Sequence, residues 1–198
     1  DRMLFDYCIK VNDNYVFDAR CSPKLVPQSK QGFIPWYFYV RSSPTSHPIA
    51  RNIEPVLLKY ASEIQFVGNT NNVSSPILTT SSNSAVTGLA PLISLGMVAN
   101  YGENPKLVPD PNAESNKICV AGMVEGKFKS HYKNRIVDTY VNNKLSNFKD
   151  SSVAEGKVLV VGNGSFLRNA YDSMPNPMQG GYLYKPLPFN ELKFDEAA

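Results

Sequence analysis

Hydrophobic and polar residues alternate over several short stretches, with the period of two that places successive side chains on opposite faces of a strand. Phe33-Ile34-Pro35-Trp36-Tyr37-Phe38-Tyr39-Val40 is the clearest example in the first half. Trp36 and Phe38 fall on one face and Tyr37 and Tyr39 on the other, while Pro35 pushes the start toward an edge or a bulge. Before it, Leu4-Phe5 and Tyr7-Cys8 read as a helix end running into a strand over 9–11. Asn12-Asp13-Asn14 is a turn, and Tyr15-Val16-Phe17 is a second strand. Pro23, Pro27 and Gly32 bracket a loop, and Ser42 to Pro48 form another.

The period changes after Asn52. Asn52 is a helix cap, Glu54 and Pro55 suit a first turn, and Val56, Leu57, Tyr60 and Ala61 follow at helical spacing. This predicts a helix ending near Ser62, then a strand over 64–67, an Asn/Ser/Thr loop over 68–75 and a short strand over 76–80. Residues 88–116 read as a long irregular connection. Strands follow at 117–124 and at Lys157-Val158-Leu159-Val160-Val161-Gly162, the latter apolar enough to be buried on both faces. Between them, residues 134–150 read as a weak helix or an ordered excursion. Ser165 opens a helix through Tyr171, and 173–198 is a Pro- and Gly-rich extended tail. Interleaved strands and helices predict an α/β class, a mixed sheet with flanking helices.

Composition narrows the picture only a little. The chain has 198 residues, 42 % hydrophobic and 19 % charged, enough for a single folded domain. Twenty Lys and Arg against 17 Asp and Glu give +3, which leaves no strong global field to attract nucleic acid. No run approaches the roughly 18 apolar residues of a membrane span. The first residues are charged where a signal peptide would be apolar, and the chain reads as a segment of a longer protein. Cys8, Cys21 and Cys119 are too scattered for a metal cluster, and a Cys8–Cys21 bridge stays open.

Candidate chemistry is sparse. Lys127, Lys129, His131, Lys133 and Arg135 alternate with Phe128 and Tyr132, so an extended segment would carry five basic groups on one face. Such a stripe suits an acidic partner or anionic headgroups, and it equally suits an edge strand protected by its charges. Trp36, Tyr37 and Tyr39 offer rings that could hold a sugar or a partner, or simply pack a core. Gly162-Asn163-Gly164-Ser165 lacks the lysine of a P-loop and the spacing of a dinucleotide fingerprint, and reads as a tight turn. His47 and His131 sit apart, and nothing marks a Cys119–His131 pair. Asn72-Val73-Ser74 and Asn163-Gly164-Ser165 match the glycosylation sequon. No residue set points to an enzyme, a metal or a cofactor.

Several blocks in order carry a resemblance. Leu4-Phe5-Asp6-Tyr7 with Asn12, Ile34-Pro35-Trp36-Tyr37-Phe38, His47-Pro48-Ile49, Asn52-Ile53 and Ala61-Ser62-Glu63-Ile64 come first. Ile77-Leu78-Thr79-Thr80-Ser81-Ser82, Val124-Glu125-Gly126-Lys127-Phe128-Lys129-Ser130, Lys157 to Gly162 and Phe166-Leu167-Arg168-Asn169 continue them. Together they resemble the gliding-motility auxiliary protein GldG family of the Bacteroidetes. The resemblance implies a non-enzymatic auxiliary, substrate-binding-like component of an ABC transporter. It implies a fold similar to glutamine amidotransferase-like and intraflagellar-transport-like domains. The segment would lie at the periplasmic face of the cytoplasmic membrane, anchored by parts outside it, with an ABC permease and ATPase as partners. It brings no catalytic residue. Asn163 and Ser165 stand where that family often has acidic residues. Two alternatives remain beside this reading: a small-ligand or saccharide-binding protein using Trp36, Tyr37 and Tyr39, and a hydrolase by fold analogy.

Overall fold

The computed structural model describes residues 2–25, 32–68, 71–89, 92–94, 103, 116–133, 135–136, 138–143, 145–167, 171–175 and 181–186. In chain order the elements are α1 (Arg2–Asp6), β1 (Ile9–Val11), β2 (Val16–Asp18), β3 (Cys21–Leu25), β4 (Phe33–Pro44), β5 (Val56–Lys59) and β6 (Ile64–Phe66). Then come β7 (Val73–Thr79), β8 (Ser84–Val86), β9 (Cys119–Gly126), α2 (Asp138–Val141), β10 (Gly156–Val161), β11 (Tyr171–Pro175) and β12 (Tyr182–Pro186). Among the described residues the helices are five and four residues long, so the expected flanking helices give way to a largely β architecture. Most of the connection expected over 88–116, and residues 176–180 and 187–198 of the tail, lie outside the described residues.

A six-stranded sheet runs β10-β9-β7-β4-β3, with β5 also on β4. Three two-stranded ladders, β1-β6, β2-β8 and β11-β12, complete the described strands. Every one of these ladders is antiparallel. The long strand β4 holds the sheet together by pairing with β3, β5 and β7 along its length. Over 33–40 it alternates with the period the sequence predicts, Trp36, Phe38 and Val40 buried and the residues between them half-buried. Where a loop is expected from Ser42 the strand instead runs on to Pro44, with Ser42 buried.

The predicted helix over 52–62 is instead strand β5. Val56 and Leu58 face the core and Leu57 does not, a period of two in register with β4 (Val40↔Leu58, Ser42↔Val56). Ser42 donates from Oγ to the Val56 carbonyl at 2.8 Å, which satisfies a buried hydroxyl at this junction. Tyr60 then turns the chain in the left-handed region at φ 57°, its N–H given to the Phe38 carbonyl at 2.8 Å. A β-branched start and tertiary pairing here override a helical spacing that rested on four residues.

The strand expected to be buried on both faces, β10, lies at an edge. Val158 and Val160 pack inward, but Leu159 is 51 % exposed. After it, where a helix from Ser165 is expected, the described residues 164–167 form a turn: Phe166 N–H meets the Asn163 carbonyl at 3.2 Å, and the next described element is β11. Gly162 is needed at this turn. A Cβ there would run into the Ser62 carbonyl, because Ser62 N–H bonds Gly162 O at 2.6 Å. Asn163 completes the turn, donating from Nδ2 to the Lys59 carbonyl and accepting from Ser165 N–H.

Two side chains, one buried and one half-buried, tie these layers together. Asp18, at the end of β2, accepts from Ser81 N–H at 2.8 Å, Ser81 Oγ at 2.5 Å and Arg20 N–H at 2.8 Å. Burial raises its pKa against those bonds, which lower it. On the other side, Phe66 of β6 sits over β9 because Gly122 leaves room: a Cβ there would lie 2.7 Å from Phe66 Cζ.

Candidate interaction face

Strand β9 ends at Gly126, whose φ of 144° belongs to glycine and where a Cβ would strike the Asn72 side chain. Beyond it the chain leaves the sheet on an excursion that returns only at β10. The two arms stay joined for a few residues. Lys129 bridges Ser151, Phe128 O accepts from Ser152 N–H at 2.8 Å, and Ser130 N–H bonds Asp150 O at 2.8 Å. Phe128 turns inward against Tyr7, ring centroids 5.3 Å apart and edge-on, which fastens the excursion to the end of α1.

The five-residue basic stripe does not form, because the extended chain stops at Ser130. The Ser130 carbonyl accepts Lys133 N–H at 3.0 Å and the Tyr132 carbonyl accepts Arg135 N–H at 2.9 Å, so residues 131–133 turn instead of alternating. His131 goes to α1, with Nδ1 2.6 Å from Asp6 Oδ2, while its Nε2 lies 2.9 Å from Arg135. A guanidinium can only donate, so Nε2 accepts and the Nδ1 proton points at Asp6. A neutral imidazole satisfies both contacts. Lys133 pairs with Asp150 at 3.1 Å. Lys127 and Lys129 remain exposed and form no ion pair among the described residues. Both line a groove of about 850 Å³ between the excursion and the α1 end, with Phe5, Asp6, Asn72 and Glu155 on its other walls.

The aromatic residues are arranged as a packed cluster. Trp36 is 4 % exposed and gives its indole N–H to Tyr60 Oη at 3.1 Å. Tyr37 and Tyr39 pack half-buried against the same cluster. Tyr39 meets Trp36 and Tyr60 edge-on at 6.1 and 5.6 Å. Lys24 lies 4.2 Å over the Trp36 ring and Lys59 5.2 Å over Tyr39, so lysines cover a face of each of these rings. Neither this groove nor a second cavity of about 740 Å³ beside Tyr132 and Tyr140 is lined by Trp36, Tyr37 or Tyr39.

The cysteines are free thiols. Burial pushes Cys21 and Cys119 up to about 11, leaving little thiolate at neutral pH. Cys119 Sγ contacts the Ala121 carbonyl at 3.2 Å and His131 is held by Asp6 and Arg135, so each member of that conceivable pair is engaged elsewhere. His47 accepts the Ile49 N–H at 3.3 Å in its own turn. Among the described residues no group of three or more His, Cys, Asp or Glu could hold a metal ion, and no helix is long and apolar enough to cross a membrane.

Asp6, Tyr60 and Asn72 escape a sequence reading. Asp6 meets a residue 125 positions away, and Tyr60 falls where a helix is expected; neither leaves a local signature. The family described as an ABC-type uncharacterized transport system matches residues 1–194. The chain belongs to that family, which makes it an auxiliary component of an ABC-type transport system. No curated protein and no solved structure matches it. The GldG resemblance is thereby carried as far as the ABC-transporter auxiliary family, and no further.

Proposed function

We propose that this auxiliary component is a non-enzymatic interaction module acting at the periplasmic face of the cytoplasmic membrane. It docks through the groove beside α1 on an acidic surface of the permease, and brings the ATPase with it through that permease. The gliding-motility role of the GldG family is part of the same reading. The observation that carries it is the division of the basic segment. His131, Lys133 and Arg135 are spent on internal contacts, while Lys127 and Lys129 stand exposed along a groove and form no ion pair among the described residues. Free cations of this kind steer and orient an acidic partner more than they stabilise the fold.

The test is recovery of permease and ATPase from native membranes with the chain as bait. Lys127→Glu combined with Lys129→Glu should cut recovery about tenfold, with the circular dichroism spectrum and melting temperature unchanged. Lys133→Glu, which only breaks an exposed pair, should reduce it far less. Undiminished recovery by the double variant would remove the groove as the contact.

A further inference from the structure

Strand β10 is one outer strand of the six-stranded sheet, and among the described residues no strand pairs with its free side. Gly162 N–H bonds the Val120 carbonyl at 2.9 Å, continuing the register in which Val160 faces Gly122 and Val158 faces Val124. Bonded pairs alternate in an antiparallel ladder, so the N–H and C=O groups of Lys157, Leu159 and Val161 point away from β9. Edges of this kind are commonly blunted by Pro, a bulge or unpaired charge. The segment Gly156–Val161 has no Pro, its register with β9 is unbroken, and its one charge, Lys157, is neutralised by Glu125.

We propose that β10 is a self-association edge, pairing antiparallel with β10 of a second copy about a two-fold axis at Leu159. This register satisfies every outward N–H and C=O of Lys157, Leu159 and Val161, since an isologous contact sets residue i against j and j against i. Leu159 then faces its own copy, and Lys157 faces Val161 rather than another lysine. A register centred on Lys157 would oppose two like charges. One centred on Val161 would run into the turn at Gly162, whose carbonyl already takes Ser62 N–H. The same arrangement puts the Val153 end of one strand beside the Leu167 end of the other. Both of these residues are more than three-quarters exposed, at 80 and 76 %, and Leu159 adds its 51 %. The charge-neutral edge and its self-matching register favour a second copy over a charged peptide.

Sedimentation of the 198-residue chain over a range of concentrations tests this. The wild type should show a concentration-dependent dimer. Leu159→Lys and Leu159→Glu should each weaken it about tenfold by placing like charges opposite each other. An equimolar mixture of the two should dimerise again, a rescue that misfolding could not produce. A wild type monomeric at every concentration overturns the proposal. So does a dimer indifferent to both variants, or concentration-independent hydrogen-exchange protection at Leu159, which would mean that the chain covers its own edge.

Discussion

At one margin of the six-stranded sheet, β3 pairs Pro23 against Pro35, breaks register between Cys21 and Ser22, and folds Lys24 over the Trp36 ring. At the other margin, β10 pairs evenly with β9 along Gly156–Val161 and exposes Leu159. The first margin is closed by its own chemistry: proline removes donors, a bulge twists the strand, and a lysine covers the ring. The second retains its donors and acceptors. Closing an edge concentrates stability there, and leaving one open reserves it for association. The groove lined by Lys127 and Lys129, which form no ion pair among the described residues, lies on the excursion that leaves β9 and returns as β10.

The largest test of this contrast truncates one residue near each margin. Phe38 is fully buried, lies 6.1 Å from Phe17 and stacks on Tyr60 at 6.1 Å. Phe38→Ala should cost about 3–5 kcal/mol, whereas Leu159→Ala should stay within about 1 kcal/mol in the monomer. Urea unfolding at low protein concentration measures both. Comparable losses would mean that β10 is as tightly packed as the β3 side, and the contrast would fail.

These two margins were unequally legible from the residues alone. The period-two pattern of β4 sets Trp36 and Phe38 on one face and Tyr37 and Tyr39 on the other, because one strand's faces depend only on the local chain; the structure shows that the Trp36 face is the buried one. The turns around Asn12 and the strands β1, β2 and β9 are read for the same reason. What defeats the reading is pairing between distant segments. Val56 to Ala61 has helical spacing, but β4 supplies a ladder that makes it a strand. The apolar run of β10 suggests burial on both faces, and only the sheet order shows it to be an edge. The basic stripe fails for a local reason that residue types do not announce: the Ser130 carbonyl captures Lys133 N–H and ends the extended chain. The candidate groove was legible in Lys127 and Lys129 and invisible in Asp6, whose contact with His131 spans 125 positions.

A second test uses pH on the closed side, where Asp18 fixes the entry to β3 through Arg20 N–H and Ser81. Burial raises its pKa above 3.8, so the folded chain holds this proton at pH values where the unfolded chain has lost it. The contribution is full below 3.8 and is lost as pH rises through the folded value. Asp18→Asn should cost about 1–3 kcal/mol, because an amide keeps one accepting oxygen where Asp18 uses two, for Ser81 N–H on Oδ2 and for Ser81 Oγ and Arg20 N–H on Oδ1, and should also remove this slope. Urea midpoints of both proteins from about pH 3 to about pH 7 provide the comparison. Parallel pH dependence would place the titration elsewhere.

The smallest expected effect belongs to the open side. Lys157 pairs with Glu125 across β9 and β10, but its side chain is 68 % exposed, where ion pairs are screened and weak. Lys157→Ala should therefore change monomer stability by no more than about 0.5 kcal/mol. The informative quantity is association. Losing the lysine leaves Glu125 unneutralised beside the free edge, so a dimer formed there should weaken at low salt and recover as salt screens the two carboxylates. A dimer insensitive to both the substitution and the salt would place the contact away from Lys157, and with it away from the β10 edge. Stability alone cannot make that distinction, because the pair contributes little to the fold whether or not a second copy binds.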